Sequence, residues 1–120
     1  MTTVQVFDSR TDLGNVVITP EIRCRLFEER PGTDRSIHSH DGAAEIFVVL
    51  QGRVEFEVEG EVIVADAGQL VYVAPFAKHT LRALDEPARL FLCVAPHREP
   101  SHTFFDSDGT PRPAHGAWRE

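Results

Sequence analysis

Residues 32 to 52, GTDRSIHSHDGAAEIFVVLQG, decide both the fold and the chemistry of this chain. His38 and His40 are two apart, so on an extended strand their side chains share a face, about 7 Å apart along the chain, and can share one ion. Asp41-Gly42 supplies a turn. Glu45 then opens the β-branched and aromatic run Glu45-Ile46-Phe47-Val48-Val49-Leu50, which predicts a carboxylate facing the imidazoles from a neighbouring strand. A fourth ligand has to come from elsewhere in the chain.

Outward from this stretch the same pattern repeats. Val54, Phe56 and Val58 alternate with Glu55, Glu57 and Glu59, an apolar face against a wet one. Glu61 to Ala65, Leu70 to Ala74, His79 to Ala83 and Arg89 to Val94 follow as strands, separated by Gly60-Glu61, Asp66-Ala67-Gly68, Pro75 and Asp85-Glu86-Pro87. Upstream, Glu21 to Glu28 alternates, with Ile22, Cys24 and Leu26 on one face and Arg23, Arg25 and Phe27 on the other. Val4 to Phe7 and Val16 to Ile18 read as edge strands. Short strands at regular spacing, with no helix-period stretch before residue 95, predict an all-β antiparallel sandwich or barrel. Residues 1–95 form that barrel. Residues 96–120, with four prolines and three histidines, read as an irregular C-terminal tail packed on the barrel or partly disordered. His97, His102 and His115 are taken as solvated residues of this tail.

The length of 120 residues allows one domain, large enough for a core without staples. A metal ion here is therefore functional in expectation and not a fold support. The formal net charge of −7, with no basic cluster, argues against nucleic acid and anionic membranes as partners. The N-terminus has no basic segment or apolar h-region, and no apolar run is long enough to span a bilayer, so the expectation is a soluble cytoplasmic protein. Cys24 and Cys93 are expected as free thiols. No Ser-His-Asp set, Cys-His pair or phosphate-binding loop is present to support nucleophilic or nucleotide chemistry.

His79 is the remaining histidine of the barrel region. With His38, His40 and Glu45 it makes a set of three imidazoles and one carboxylate. Here the sequence resembles the cupins, in their small single-domain microbial form. The first cupin motif is met at Gly32, His38, His40, Glu45 and Gly52, with four residues between His40 and Glu45. The second is met at Gly68 and His79 only. Ala74 stands where that motif has Pro, Phe76 where it has Gly, and Ala83 where it has Asn. The spacing from Gly68 to His79 is kept, and the 15 residues Arg53 to Ala67 between the motifs fit one hairpin.

The resemblance implies a jelly-roll barrel, a homodimer, and His38, His40, Glu45 and His79 as ligands of one divalent transition metal ion: Fe, Mn, Ni, Cu, Co or Zn. It implies metal-dependent chemistry on a small organic molecule, with dioxygenase-type oxidation the leading class. A non-catalytic binding or sensing barrel and a non-redox isomerase or hydrolase are the alternatives. Phe47, Phe56 and Leu81 share the inward parity of the ligands and are candidates for a substrate-pocket wall. Tyr72 and Phe76 are further pocket candidates, Phe76 either as a lid or as surface packing, while strand parity leaves Tyr72 open to the outer face.

Overall fold

A computed structural model describes residues 3–32, 37–97, 102–105 and 110–113. Eleven strands and no helix occur among them. In chain order they are β1 Gly14–Ile18, β2 Arg23–Glu29, β3 His38–His40, β4 Ala44–Gln51, β5 Arg53–Val58, β6 Glu61–Asp66, β7 Leu70–Val73, β8 His79–Ala83, β9 Ala88–Ala95, β10 His102–Phe105 and β11 Pro111–Pro113. They make two antiparallel sheets, one in the order β1-β2-β9-β4-β7 and the other β11-β10-β3-β8-β5-β6. The strand pattern predicts the two antiparallel sheets, and their jelly-roll arrangement is the one the resemblance implies.

The core fills the space between the sheets. From the first sheet come Phe27, Phe47, Val49, Leu90, Leu92 and Val94, and from the second Val54, Phe56, Leu81 and Ala83. Each such large side chain contributes about 1.5–3 kcal/mol on burial. Phe47 and Phe56 meet across the gap with ring centroids 5.2 Å apart. Parity is strict on β9, where Ala88, Leu90, Leu92 and Val94 are fully buried and the residues between them are half-buried.

Turns are where local chemistry decides. Glu59 (φ 49°) and Gly60 (φ 81°) both lie in the left-handed region, the requirement of the two-residue hairpin that matches sheet twist, so the β5–β6 turn centres one residue earlier than its sequence suggests. At Gly52 (φ 85°) a Cβ would stand 3.1 Å from both Cα and Cβ of Ala88, so this turn needs glycine for space as well as for conformation.

Three expectations change. Val4 to Phe7 forms no strand. The chain instead folds into a turn at Asp8, whose carbonyl accepts from Thr11 N (3.1 Å) and Asp12 N (2.8 Å) and whose carboxylate accepts from Arg10 N and Arg10 Nε. Local carboxylate bonds here take the place of a sheet partner. The Asp41-Gly42 turn does not make a hairpin with β3 and β4 side by side; it carries the chain from the second sheet to the first. Last, the C-terminal segment contributes β10 and β11, which extend the second sheet beyond β3. Proline is tolerated in β11 because that strand is at the edge.

Candidate metal centre

Three imidazoles reach the gap from one sheet and the carboxylate reaches it from the other. His38 on β3 pairs with His79 on β8 in the second sheet, and His40 stands two residues on. Glu45 projects from β4 of the first sheet, opposite Val73 on one side and Val94 on the other. All four side chains are buried, with 6%, 2%, 1% and 1% exposure for His38, His40, Glu45 and His79. One donor atom from each lies within 4.8 Å of the others.

The contacts within the group show why it suits a cation. Nε2 of His40 and Nε2 of His79 lie 3.2 Å and 2.8 Å from the same oxygen, Oε1 of Glu45. Nδ1 of His79 is 3.0 Å from the carbonyl oxygen of Ala77. A carbonyl can only accept, so Nδ1 carries the proton and Nε2 of a neutral His79 turns its lone pair toward a carboxylate oxygen. Two electron-rich atoms at that distance repel unless a proton or a cation sits among them. With metal–ligand bonds of roughly 2.1 Å, donors on opposite sides of one ion would be about 4.2 Å apart, close to the spread observed. Three imidazole nitrogens and one carboxylate oxygen match the preferences of a divalent first-row ion, which can keep further positions open.

The surrounding residues hold the strand that carries two of the ligands. Ser39, between the two histidines, is buried and donates to Asp41 Oδ1 at 3.3 Å, while Thr103 on β10 donates to Asp41 Oδ2 at 2.5 Å. Phe76 N donates to His40 O at 3.0 Å, tying the turn before His79 to β3. The ring of Phe104 on β10 lies 5.5 Å from that of His38. Sequence reading takes Phe104 as an anchor of the tail and does not place it beside a ligand, because its strand sits among prolines and its neighbour β3 is far away in the chain.

Of the pocket candidates, Phe47 lies edge-on to His79 at 6.1 Å between centroids, and Phe56 and Leu81 sit opposite each other on β5 and β8; all three are buried. Tyr72 does not join them. It alternates with buried Val71 and Val73, lies opposite exposed Ile46, and is 59% exposed on the outer face of the first sheet. Phe76 is 63% exposed in the turn before His79, with a left-handed backbone (φ 67°) in place of the glycine that the second motif prefers. The structure therefore removes Tyr72 from the pocket wall and turns Phe76 to the surface.

Arg23 is the residue that sequence reading passed over: it is fully buried on the face that β2 turns inward. Cys24 and Cys93 are free and stand directly opposite each other on β2 and β9, facing outward. Burial and the neighbouring Cys93 push the Cys24 thiol up to about 11.

A family model described as cupin domain matches residues 25–95. Among solved structures, an uncharacterized conserved protein with a double-stranded β-helix domain from Klebsiella pneumoniae superposes with a TM-score of 0.77 at 18% identity, covering 87% of this chain and 99% of that one. A cupin protein from Bacteroides fragilis gives 0.67 at 21% identity, over 82% and 89% of the two chains. KdgF from a Halomonas species gives 0.65 at 24% identity, over 72% and 80%. These likenesses are of fold. No curated protein matches the sequence. The match to the family model spans more than half of the chain and takes in His38, His40, Glu45 and His79, and the protein belongs to the cupin family.

Proposed function

We propose that this cupin holds one divalent transition metal ion on His38, His40, Glu45 and His79 and carries out a dioxygenase-type oxidation of a small organic molecule. The observation that carries the reading is the convergence of four buried donor atoms within 4.8 Å, with His79 fixed by Ala77 in the tautomer that presents Nε2. When bound, such an ion supplies Lewis-acid polarisation of a substrate oxygen and, if redox-active, electron exchange with O₂.

The chain's own residues set the conditions for that chemistry. Phe47, Phe56 and Leu81 give an apolar wall that excludes water and suits a substrate with a hydrophobic body. Glu45 offsets part of the ion's charge. Among the described residues the half-buried carboxylate of Asp41, next to His40, already accepts from Ser39 and Thr103, and no second fully buried carboxylate stands at the centre. Among the described residues only Glu29 joins Glu45 as a buried carboxylate, and it stands six residues along β2 from Arg23, the β2 residue in the row of Glu45. At about 3.4 Å per residue that is about 20 Å. This favours oxidation over a carboxylate-driven isomerisation.

The test is elemental analysis of untagged wild type beside His79→Ala, followed by O₂ uptake with candidate substrates. Stoichiometric iron, manganese, nickel, copper or cobalt that is lost in the variant, with O₂ consumed on turnover, supports the reading. Zinc with turnover but no O₂ uptake replaces it with a non-redox isomerase or hydrolase. Protein that takes up none of these ions reduces it to a ligand-binding barrel.

A further inference from the structure

Cys24 on β2 and Cys93 on β9 are register partners, and the hydrogen bonds on either side tell what kind of pair they make. Thr19 N donates to Ile22 O at 2.9 Å, so these two residues turn their main-chain groups toward each other across the β1–β2 hairpin. Two residues further along each strand, Val17 and Cys24 do the same, and the main chain of Cys24 bonds to β1. On the far side, Val49 N donates to Gln69 O at 3.0 Å and Val49 O accepts from Gly68 N at 2.7 Å, so Val49 turns away from β9. Ile46, three residues before it, turns toward β9 and bonds to its partner there, which is Cys93. The main chains of the two cysteines therefore bond away from each other. Theirs is the non-hydrogen-bonded kind of antiparallel pair, with Cα atoms about 4.5 Å apart and side chains at closest approach. That lies inside the range of about 4.4–6.8 Å over which a disulfide bridges two Cα atoms.

The two side chains share the outer face of the first sheet, and their thiols already hydrogen-bond. Cys93 is half-buried. Cys24 is 7% exposed and lines a cleft of about 350 Å³ together with Phe7, Leu26 and Phe91. Arg89 Nη1 donates to Ser9 O at 3.0 Å and to Arg10 O at 3.3 Å, and so holds the segment that supplies Phe7 and Ser9 to that cleft. A small oxidant reaches thiols covered in this way more readily than a bulky one. Burial and the neighbouring Cys93 push the Cys24 thiol up to about 11, so it keeps its proton at neutral pH and suits the second step of an oxidation better than the first.

We propose that Cys24 and Cys93 are a redox modification site, a cross-strand dithiol that a hydroperoxide closes to a disulfide and a dithiol reductant reopens. The more accessible Cys93 gives up its proton and its thiolate attacks the peroxide. The O–O bond breaks, Cys93 becomes a sulfenic acid, and the departing hydroxide takes up the released proton as water. Cys24 Sγ then attacks the sulfenic sulfur. The S–S bond forms, the S–O bond breaks, and the Cys24 proton leaves with the hydroxyl as a second water. Two thiols have lost two electrons in all, and one hydrogen peroxide has become two waters. The bridge ties β2 to β9 in the row next to Arg23, Val94 and Glu45, so it joins strands of the sheet that carries one candidate metal ligand while leaving the donor set untouched. None of this rests on the proposed oxidation at the metal centre.

The test exposes reduced, desalted wild type, Cys24→Ser and Cys93→Ser to about a tenfold excess of hydrogen peroxide near neutral pH, with and without prior dialysis against a chelator. Wild type is expected to lose both thiols and to yield the Cys24 and Cys93 peptides joined within one chain on non-reducing digestion, with dithiothreitol restoring both. Cys24→Ser is expected to stop at a Cys93 sulfenic acid that dimedone captures, and Cys93→Ser to lose its thiol at least about tenfold more slowly than wild type. Thiols that persist in wild type, a link between two chains, sulfinic acid on Cys93 beside a free Cys24, or closure that occurs only before chelation overturns the proposal. Equal rates in wild type and Cys93→Ser overturn it as well. Should either variant not fold, the wild-type peptide map decides, because an intrachain link between those two peptides has no other source.

Discussion

His79 Nδ1 donates to the carbonyl oxygen of Ala77 at 3.0 Å, and this bond decides what the other side of the ring can do. It fixes the tautomer and aims Nε2 at Glu45 Oε1, 2.8 Å away. Partners of this kind orient metal-binding histidines and raise their basicity. The expected outcome is that His79→Ala lowers metal affinity at least about a hundredfold, read by competition with a chromogenic chelator. Added metal is expected to raise the melting temperature of wild type and not of the variant, because an ion bound only by the native state stabilises it by mass action.

The thiol pair gives a prediction in pH. Burial, the neighbouring Cys93 thiol and its hydrogen bond raise Cys24 to about 11 from 9.0. Between those values the unfolded chain has released its proton and the native one has not, so the native state binds more protons and stability falls as pH rises. The contribution is complete below pH 9 and gone above 11. Labelling of Cys24 by iodoacetamide, mapped by peptide mass, is expected to be slow at pH 8 and to climb toward pH 11. In Cys93→Ser the rise is expected at lower pH, with the burial effect left in place.

Glu45 to Gly52 is legible in the sequence because a strand buried on its inner face repeats its character every two residues, and the ligand spacing comes with it. The partner sheet is not legible. Nothing local to Asp41-Gly42 says that the turn crosses between sheets, so Glu45 was expected beside the imidazoles and stands across from them. Tyr72 shows a similar limit: its side follows from its pairing with Ile46, which is a fact of topology. Arg23 was obscured for a different reason. The alternation puts it with Phe27, but a face holding Arg23 and Arg25 reads as the wet one. Phe7 and Ser9 from the N-terminal segment line a cleft with Cys24 and Leu26 on the opposite side, so β2 is covered on both faces.

Gly52 is held by space and by backbone. An added Cβ would lie 3.1 Å from the Ala88 Cα and Cβ and 3.2 Å from the Pro87 carbonyl oxygen, with φ at 85°. The neighbours are main-chain atoms and a fully buried alanine, which have no flexible end to move aside. Left-handed backbone costs a residue with Cβ about 1 kcal/mol, and the overlap adds about 1–3 kcal/mol. Gly52→Ala is expected to lose about 2–4 kcal/mol in urea unfolding.

Phe76 presents the reverse case. Its φ of 67° is one that glycine adopts freely, its ring is 63% exposed, and the bond from its N to His40 O needs no side chain. Substituting glycine removes the clash of Cβ with the following carbonyl, worth about 1–2 kcal/mol. It also raises the entropy of the unfolded chain, which takes back roughly half of that. Phe76→Gly is therefore expected to gain about 0.5–1 kcal/mol, seen as a rise of a few degrees in melting temperature. Metal affinity is expected to stay as in wild type, since the turn keeps its bond to β3. A loss of stability would mean that the Phe76 ring packs against something on the surface whose contribution exceeds the backbone strain.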